Sequence, residues 1–546
     1  MTGAAESAAA EQAVRDAASL LTIGFEGERL DLGLAASLSD EPVAGVTLFR
    51  PHNVSSAAQL RALTDALQQA TPAELRPLLV ATDQEGGQLI ACGDFTTQFA
   101  GAMALGATDD EALAEEVARA TGRELRALGV NVNYAPVCDL ATNPQNPGLG
   151  IRSFGDDPAA VGRLVAATVR GLQSAGVAAT LKHFPGKGDA GVDTHYRLAV
   201  VRRGRDDFMT RELVPFRAGL EAGARVVMSG HFALPALTGD ESLPCTLSAA
   251  AMTDLLRGVL GFDGVATTDA LDMKALAQGE AQAIDAVCAV RAGNDLLLGT
   301  VDPSMRHRLA AAVGQALVRG LIDDAAVEHS RRRVAALRRW LATVDAPGQD
   351  IVGCAEHRAL ARQLAERSIT LVRDEAGMLP LRPAEEQRVL VVEPRPADLT
   401  PADTSSTVTV GLAEAIRRRH RRTEGIEIDI APRPAEIAAV RERARGCDLL
   451  VLGTISANLQ PGQAEVANAL LEAGPPTVSV ALRTPWDLLA YPRAVTHVCS
   501  FGILQPTIDA LVAALWGEAP FGGRLPVELA GLYPRGHGLT TGAVRA

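Results

Sequence analysis

Over the first 340 residues or so, short apolar runs alternate with longer stretches in which hydrophobic and polar positions are mixed. The apolar runs are rich in β-branched residues, which is typical of buried parallel strands. The intervening stretches, such as 57–69, 110–128 and 159–175, have the period of helices. Strands are predicted at 22–27, 45–49, 78–83, 130–137, 179–184, 225–231, 264–269 and 295–299. Eight strands separated by helices predict a (β/α)8 TIM-type barrel, although 22–27 is short enough to precede the barrel instead.

A second α/β region follows the Arg-rich helical stretch 329–342 and the Pro/Gly/Asp-containing linker 345–350. Its apolar runs lie at 388–392, 426–430, 447–453, 477–482 and 496–501. They alternate with helical stretches and predict an α/β/α sandwich. The expected organisation is a barrel domain over 1–344, a linker and connecting helix over 345–368, and a sandwich domain over 369–546. The second region has no G-x-G-x-x-G or Walker-type loop, so nucleotide binding is not predicted.

Composition narrows the classes of function. The net charge of −13 and the lack of a basic stripe argue against a nucleic-acid partner. No apolar run approaches the roughly 18–20 residues that cross a bilayer, and the N-terminal segment has no signal-peptide pattern. The seven cysteines are scattered without metal-ligand spacing, which predicts reduced thiols and a cytoplasmic protein. No cofactor and no metal are expected.

Polar residues follow several predicted barrel strands at the point where each strand ends, where barrel enzymes place their catalytic groups. They are Asp83, Asp139, Lys182, His183, His231 and Asp269. The pattern predicts one polar pocket.

The glycine-rich loop 182–195 closes on Asp193-Thr194-His195. A carboxylate beside an imidazole favours the charged ring and fixes its tautomer, as a general acid/base requires. The alternative is a solvated surface loop. Asp269 fits a nucleophile or the N-cap of a following helix. Retaining glycoside hydrolysis needs one carboxylate that attacks and one group that transfers protons, usually a second carboxylate. In this chain His195, paired with Asp193, would replace that second carboxylate.

Four motifs in order resemble glycoside hydrolase family 3, in its bacterial β-N-acetylglucosaminidase branch. They are Asp83-Gln84-Glu85-Gly86-Gly87; Asn146-Pro147 with Arg152-Ser153-Phe154-Gly155; Lys182-His183-Phe184-Pro185-Gly186 with Asp193-Thr194-His195; and Leu260-Gly261-Phe262-Asp263-Gly264 leading to Thr268-Asp269-Ala270-Leu271-Asp272-Met273. Similarity continues through Ser368-Ile369-Thr370-Leu371-Val372 and Gly523-Arg524-Leu525-Pro526-Val527, so it covers nearly the whole chain. The Asp-x-His loop separates this branch from family members that use a distant Glu as the acid/base.

The resemblance implies that Asp269 is the nucleophile, that His195 is the acid/base and that Asp193 tunes it. It also implies the sugar ligands Asp83, Arg152, Lys182 and His183. Alternatively, Lys182 and His183 form an ion pair at a strand end, and Arg152 only braces its own loop. We interpret His231 and Asp139 as structural and Asp272 as a helix-start carboxylate.

Two positions depart from the family pattern. The first motif normally continues Arg-Val-x-Arg, with the second Arg on the sugar, whereas this chain has Gln88-Leu89-Ile90-Ala91. Lys187 stands where His is common. Loss of the charged donor costs about 1.5–3 kcal/mol of sugar binding if nothing replaces it.

The implied activity is a retaining, exo-acting β-N-acetylhexosaminidase that releases terminal GlcNAc from small carbohydrates, typically in peptidoglycan recycling. Alternatives are another amino sugar or a glycosylated specialised metabolite, and a phosphorylase, because a neutral His does not repel phosphate. From a different class, the chain could be a non-catalytic sugar-binding relative. The oligomeric state is open.

Overall fold

The computed structural model describes residues 2–40, 43–299 and 301–540. Within them, eight parallel strands form a closed barrel in chain order, β8 pairing with β1 through Leu297 and Leu21. The strands β1 to β8 are Leu21–Ile23, Gly45–Leu48, Leu79–Thr82, Val132–Asn133, Ala178–Phe184, Val226–Ser229, Val265–Ala270 and Leu296–Leu298. The predicted barrel is confirmed, and its first strand overlaps the doubtful segment 22–27 only at Thr22 and Ile23.

Helices flank the barrel strands and precede β1. The longer ones are Thr2–Ala18, Leu32–Asp40, Ala57–Ala70, Ala102–Thr108, Glu111–Ala127, Pro158–Ser174, Arg205–Thr210, Leu213–Glu221, Ala250–Val259, Gln282–Ala292, Pro303–Val318 and Asp324–Leu341. Side-chain caps begin several of them: Asp110 accepts from Leu113 N, and Asp157 accepts from Ala160 N. These caps explain why the helix starts followed the sequence pattern closely.

Strand β4 is shorter than the predicted run 130–137. Pairing with both neighbours stops after Asn133, and the Ala135–Pro136 peptide follows. Proline has no N–H to donate to a ladder, which interrupts the strand. Contact with β5 continues beyond the strand, because Thr180 N–H and Lys182 N–H donate to the Ala135 and Pro136 carbonyls at 2.8 and 3.2 Å, and Val137 forms a bridge with Lys182.

The second part of the chain is an α/β sandwich, as predicted. After helix Ala355–Ser368, its described residues form one six-stranded sheet in the order β9-β14-β13-β12-β10-β11, parallel except for β9. Strands β9 to β14 are Thr370–Asp374, Val389–Pro394, Thr423–Ile428, Leu449–Thr454, Thr477–Ala481 and Thr496–Cys499. The helices between these strands and after β14 are Leu412–Arg417, Pro434–Ala444, Pro461–Ala473, Asp487–Ala490 and Gln505–Leu515.

Buried polar contacts fasten the sandwich side to the barrel. Glu124 accepts from the ring of His357 at 2.7 Å, and both side chains are almost fully buried. Asn458 donates to the carbonyl of Pro144 at 2.7 Å. None of the helices in the described ranges is long and apolar enough to cross a bilayer.

Candidate active site

The carboxyl ends of the barrel strands surround a cavity of about 700 Å³. Six of the seven predicted site residues line it, namely Asp83, Arg152, Lys182, His183, His195 and Asp269. The seventh, Asp193, is buried and in contact with His195. The barrel therefore brings together residues that lie up to 186 positions apart in the sequence.

Asp269 lies near the end of β7, and its Oδ1 accepts from the backbone N–H of Ala270 at 2.9 Å. No helix starts here, so the N-cap alternative is wrong. Burial opposes ionisation of Asp269, but nearby positive charges, those of the His183 and His231 rings when protonated and of Lys187, outweigh it and set its pKa below the ordinary value. Asp269 is an ionised carboxylate at the cavity wall.

His195 and Asp193 form a tight pair on the glycine-rich loop. Asp193 Oδ1 lies 2.7 Å from His195 Nδ1 and also accepts from the backbone N–H of His195 at 2.9 Å. Burial raises the pKa of Asp193, but the hydrogen bonds and charge of His195 prevail and lower it. Because the carboxylate holds Nδ1, the other ring nitrogen is the one available to a ligand.

Backbone contacts hold this loop in place. Asp139 Oδ1 accepts from Lys187 N–H at 2.7 Å, and Asn146 Nδ2 donates to the carbonyls of Lys187 and Gly188 at 3.2 and 3.0 Å. A Cβ at Gly188 would lie 1.8 Å from the Leu140 carbonyl oxygen. Only glycine therefore allows the loop to approach this closely.

Asp139 contacts a predicted sugar ligand. Its Oδ2 lies 2.7 Å from His183 Nδ1, while His183 Nε2 lies 3.9 Å from Asp269 Oδ2. Burial and Lys187 lower the pKa of His183 well below its ordinary value, so the ring is neutral. With its proton directed to Asp139, His183 presents Nε2 beside Asp269 as a hydrogen-bond acceptor.

Glu85 joins two of the predicted sugar ligands and was missed in the sequence, although it lies inside the first motif. Its oxygens accept two hydrogen bonds from Arg152, each 2.8 Å long, and Lys182 Nζ lies 2.5 Å from Oε1. Lys182 Nζ also lies 2.6 Å from Asp83 Oδ1. Burial opposes ionisation of Glu85, but Arg152 and Lys182 lower its pKa below the ordinary value. Glu85 balances both cations and fixes them at the wall.

The assignment of Asp272 to a helix start is wrong. Asp272 lies in a turn after β7, and the next α-helix begins at Gln282. Its side chain lines the cavity, where burial raises its pKa. His231, in contrast, is fully buried, with its two ring nitrogens 2.9 Å from Thr246 Oγ1 and 3.0 Å from the Ala270 carbonyl.

The sandwich contributes one wall of the cavity through the loop 398–407, which we call the sandwich loop. Within it, Asp403 accepts from Arg483 Nη2 at 2.7 and 2.8 Å, and both side chains are almost fully buried. No periodic pattern marks this loop in the sequence, and only the tertiary docking reveals that it reaches the cavity.

Known proteins resemble this chain in sequence and in fold. Residues 18–337 match the model of the "Glycosyl hydrolase family 3 N terminal domain". The chain is 31% identical over 509 residues to a "Beta-N-acetylglucosaminidase/beta-glucosidase" of Cellulomonas fimi, covering 86% of this chain and 87% of that protein. It is 35% identical over 374 residues to "Beta-hexosaminidase A" of Pseudoalteromonas piscicida, covering 64% of this chain and 62% of that relative's length.

A solved glycoside hydrolase family 3 β-N-acetylglucosaminidase from Paenibacillus sp. str. FPU-7 superposes with a TM-score of 0.88 at 33% identity, covering 94% of this chain and 98% of that one. The family match extends over more than half of the sequence. The chain therefore belongs to glycosyl hydrolase family 3, and it is a glycosidase.

Proposed function

We propose that this protein is an exo-acting β-N-acetylhexosaminidase that cleaves a terminal β-linked GlcNAc, or a related amino sugar, with retention of configuration. The main support is that an ionised Asp269 and His195, which is paired with Asp193, line the same cavity. The names of the β-hexosaminidase and β-N-acetylglucosaminidase relatives add to it.

In the first step, Asp269 attacks the anomeric carbon while His195 donates a proton to the glycosidic oxygen. The carbon–oxygen bond breaks, the aglycone leaves as an alcohol, and the sugar is esterified to Asp269. Asp193 stabilises the imidazolium before transfer. In the second step, neutral His195 removes a proton from water, the water oxygen attacks the same carbon, and Asp269 leaves.

Sugar binding falls to the residues around Asp269. Arg152 and Lys182, both braced by Glu85, are charged donors for hydroxyl oxygens, and Asp83 accepts from hydroxyl hydrogens. His183 accepts through Nε2. Fixed donors and acceptors of this kind orient a sugar without rearrangement during the reaction.

The test is hydrolysis of p-nitrophenyl β-GlcNAc. Asp269→Ala should abolish nitrophenol release while GlcNAc binding persists, and Asp254→Ala, at an exposed position of helix Ala250–Val259, is the matched control. Proton NMR of early product should show the β-anomer. Early α-anomer, or full activity of Asp269→Ala, would contradict the proposal, and binding without turnover in the wild type would favour a non-catalytic sugar-binding relative.

We further propose peptidoglycan-fragment recycling as the role. Ala91 is the reason to keep another amino sugar or a glycosylated specialised metabolite as the alternative substrate. A panel of aryl glycosides that differ at the 2-, 4- and 6-positions separates these, because each removes one group that the cavity residues would bind.

Phosphate is a competing acceptor. An imidazole base carries no negative charge to repel an anion, and Lys187 adds a positive charge near Asp269. Turnover in phosphate buffer that yields sugar 1-phosphate would make the enzyme a phosphorylase, and free sugar as the only product would exclude it.

A further inference from the structure

Ala91 lies beside the predicted sugar ligand Asp83. Its N–H donates to the Asp83 carbonyl at 3.2 Å, and its side chain lines the cavity. A methyl group provides no hydrogen-bond donor. The wall at this position therefore needs a donor from elsewhere if it is to bind a polar group of the sugar.

The sandwich loop docks directly on this wall. Thr404 N–H donates to the Gln88 carbonyl at 2.8 Å, and Thr404 Oγ1 accepts from Ile90 N–H at 3.1 Å. The buried ion pair between Asp403 and Arg483 fixes the residue before Thr404. The loop thus has one defined position next to Ala91.

Three residues further on, the same loop holds a cation. Thr407 Oγ1 donates to the Thr404 carbonyl at 2.7 Å and accepts from Arg50 Nη1 at 2.8 Å. Arg50 follows β2 and lines the cavity. Across the described ranges, its guanidinium forms no ion pair and no other side-chain hydrogen bond. Most of its donors are left for a ligand.

We propose that Arg50, positioned by Thr407, is a sugar-binding residue that supplies the donor missing at Ala91. This rests on the proposed function. The group that it recognises is an uncharged acceptor of the bound amino sugar, a hydroxyl or acyl oxygen. The sandwich domain thereby takes part in choosing the sugar through a side chain of the barrel.

The experiment measures kcat and KM for p-nitrophenyl β-GlcNAc with Arg50→Ala, Thr407→Val and the double variant. Arg50→Ala should lower kcat/KM about 10- to 100-fold, as expected for a hydrogen bond to a charged group. Thr407→Val should lower it less, and it should add nothing once Arg50 is gone, because it acts only through the guanidinium. Arg202→Ala, at an exposed ion pair with Glu241, is the matched control.

Unchanged kinetics in Arg50→Ala, or fully additive effects of the two substitutions, would overturn the proposal. GlcNAc binding measured by calorimetry separates it from the proposed function. If the wild type binds GlcNAc without turnover and Arg50→Ala binds more weakly, Arg50 is a sugar ligand and the hydrolase proposal fails. Equal binding by the two proteins overturns the role of Arg50 while leaving the hydrolase test intact. If Arg50→Ala fails to fold, the kinetics of Thr407→Val decide the proposal, because this substitution leaves Arg50 and the other barrel side chains unchanged.

Discussion

Glu212 is a buried carboxyl beneath the glycine-rich loop 182–195, and replacing it with Gln should change how stability depends on pH. It precedes helix Leu213–Glu221, its side chain is 1% exposed, and neither oxygen has a hydrogen-bond partner in the described chain. Arg203 Nε lies 3.4 Å from Oε1 and is its nearest cation. A Cβ at Gly186 of this loop would lie 3.2 Å from Glu212 Cβ.

The magnitude follows from the pKa. Burial raises the pKa of Glu212 from 4.5 to about 7, with Asp139 and Asp189 adding to the effect and Arg203 and Arg211 opposing it. Between these values the folded protein binds a proton that the unfolded chain has lost, so stability falls as pH rises through this window. The total is about 3 kcal/mol once the pH exceeds the folded pKa.

The assay is urea unfolding of wild type and Glu212→Gln at a series of pH values from about 5 to 8, the range set by the two pKa values. Gln does not ionise, so the variant should gain about 2.5 kcal/mol relative to wild type across this range. Other titrating groups are common to both proteins and cancel. Asp207→Asn, which removes another Arg203 contact, is the matched control. A stability difference that does not change with pH would refute the reasoning.

Three further substitutions test the site. Asp193→Asn should lower kcat about 100-fold by weakening proton transfer, with a larger loss for aryl glycosides that have poor leaving groups than for good ones; equal losses across a leaving-group series would contradict a proton-transfer role. Glu85→Gln leaves two buried cations without full compensation, and thermal and urea unfolding should show a loss of about 3–5 kcal/mol together with a raised KM; unchanged stability would show that Arg152 and Lys182 need no shared carboxylate. Asp403→Ala strands the buried Arg483 and should free the sandwich loop, which limited proteolysis would detect as new cleavage within 398–407 together with a raised KM; protection equal to wild type would count against the ion pair as the anchor.

The sequence predicted much of the fold, since strand and helix periods are local properties. Strand β4 was overextended because its apolar run continues past the point where Pro136 breaks the ladder. Asp272 was misplaced because an Asp after a strand is a common helix cap, whereas here turns intervene before Gln282. The two errors concern where a strand ends and where a helix begins, which neighbouring strands and turns decide.

The sequence predicted those residues of the candidate site that lie close together in short motifs. Asp193 and His195 lie two positions apart, and their pairing follows from adjacency. Glu85 lies in a motif as well, but its partner Arg152 comes from the connection after β4 and its partner Lys182 from β5, so its role needed the folded barrel. The Arg50–Thr407 contact joins residues 357 positions apart and had no local signal.

The docking of Thr404 on the Gln88–Ile90 backbone means that the cavity has walls from two different parts of the chain. In the proposed mechanism, bond cleavage depends on Asp269 and His195 of the barrel, while one wall of the cavity is built from the sandwich loop. Loops tolerate sequence change better than barrel strands do. We therefore expect that exchanging a short segment around Thr404 can change the sugar preference while Asp269 and His195 stay unchanged. The sandwich loop is the segment to vary when that preference is engineered.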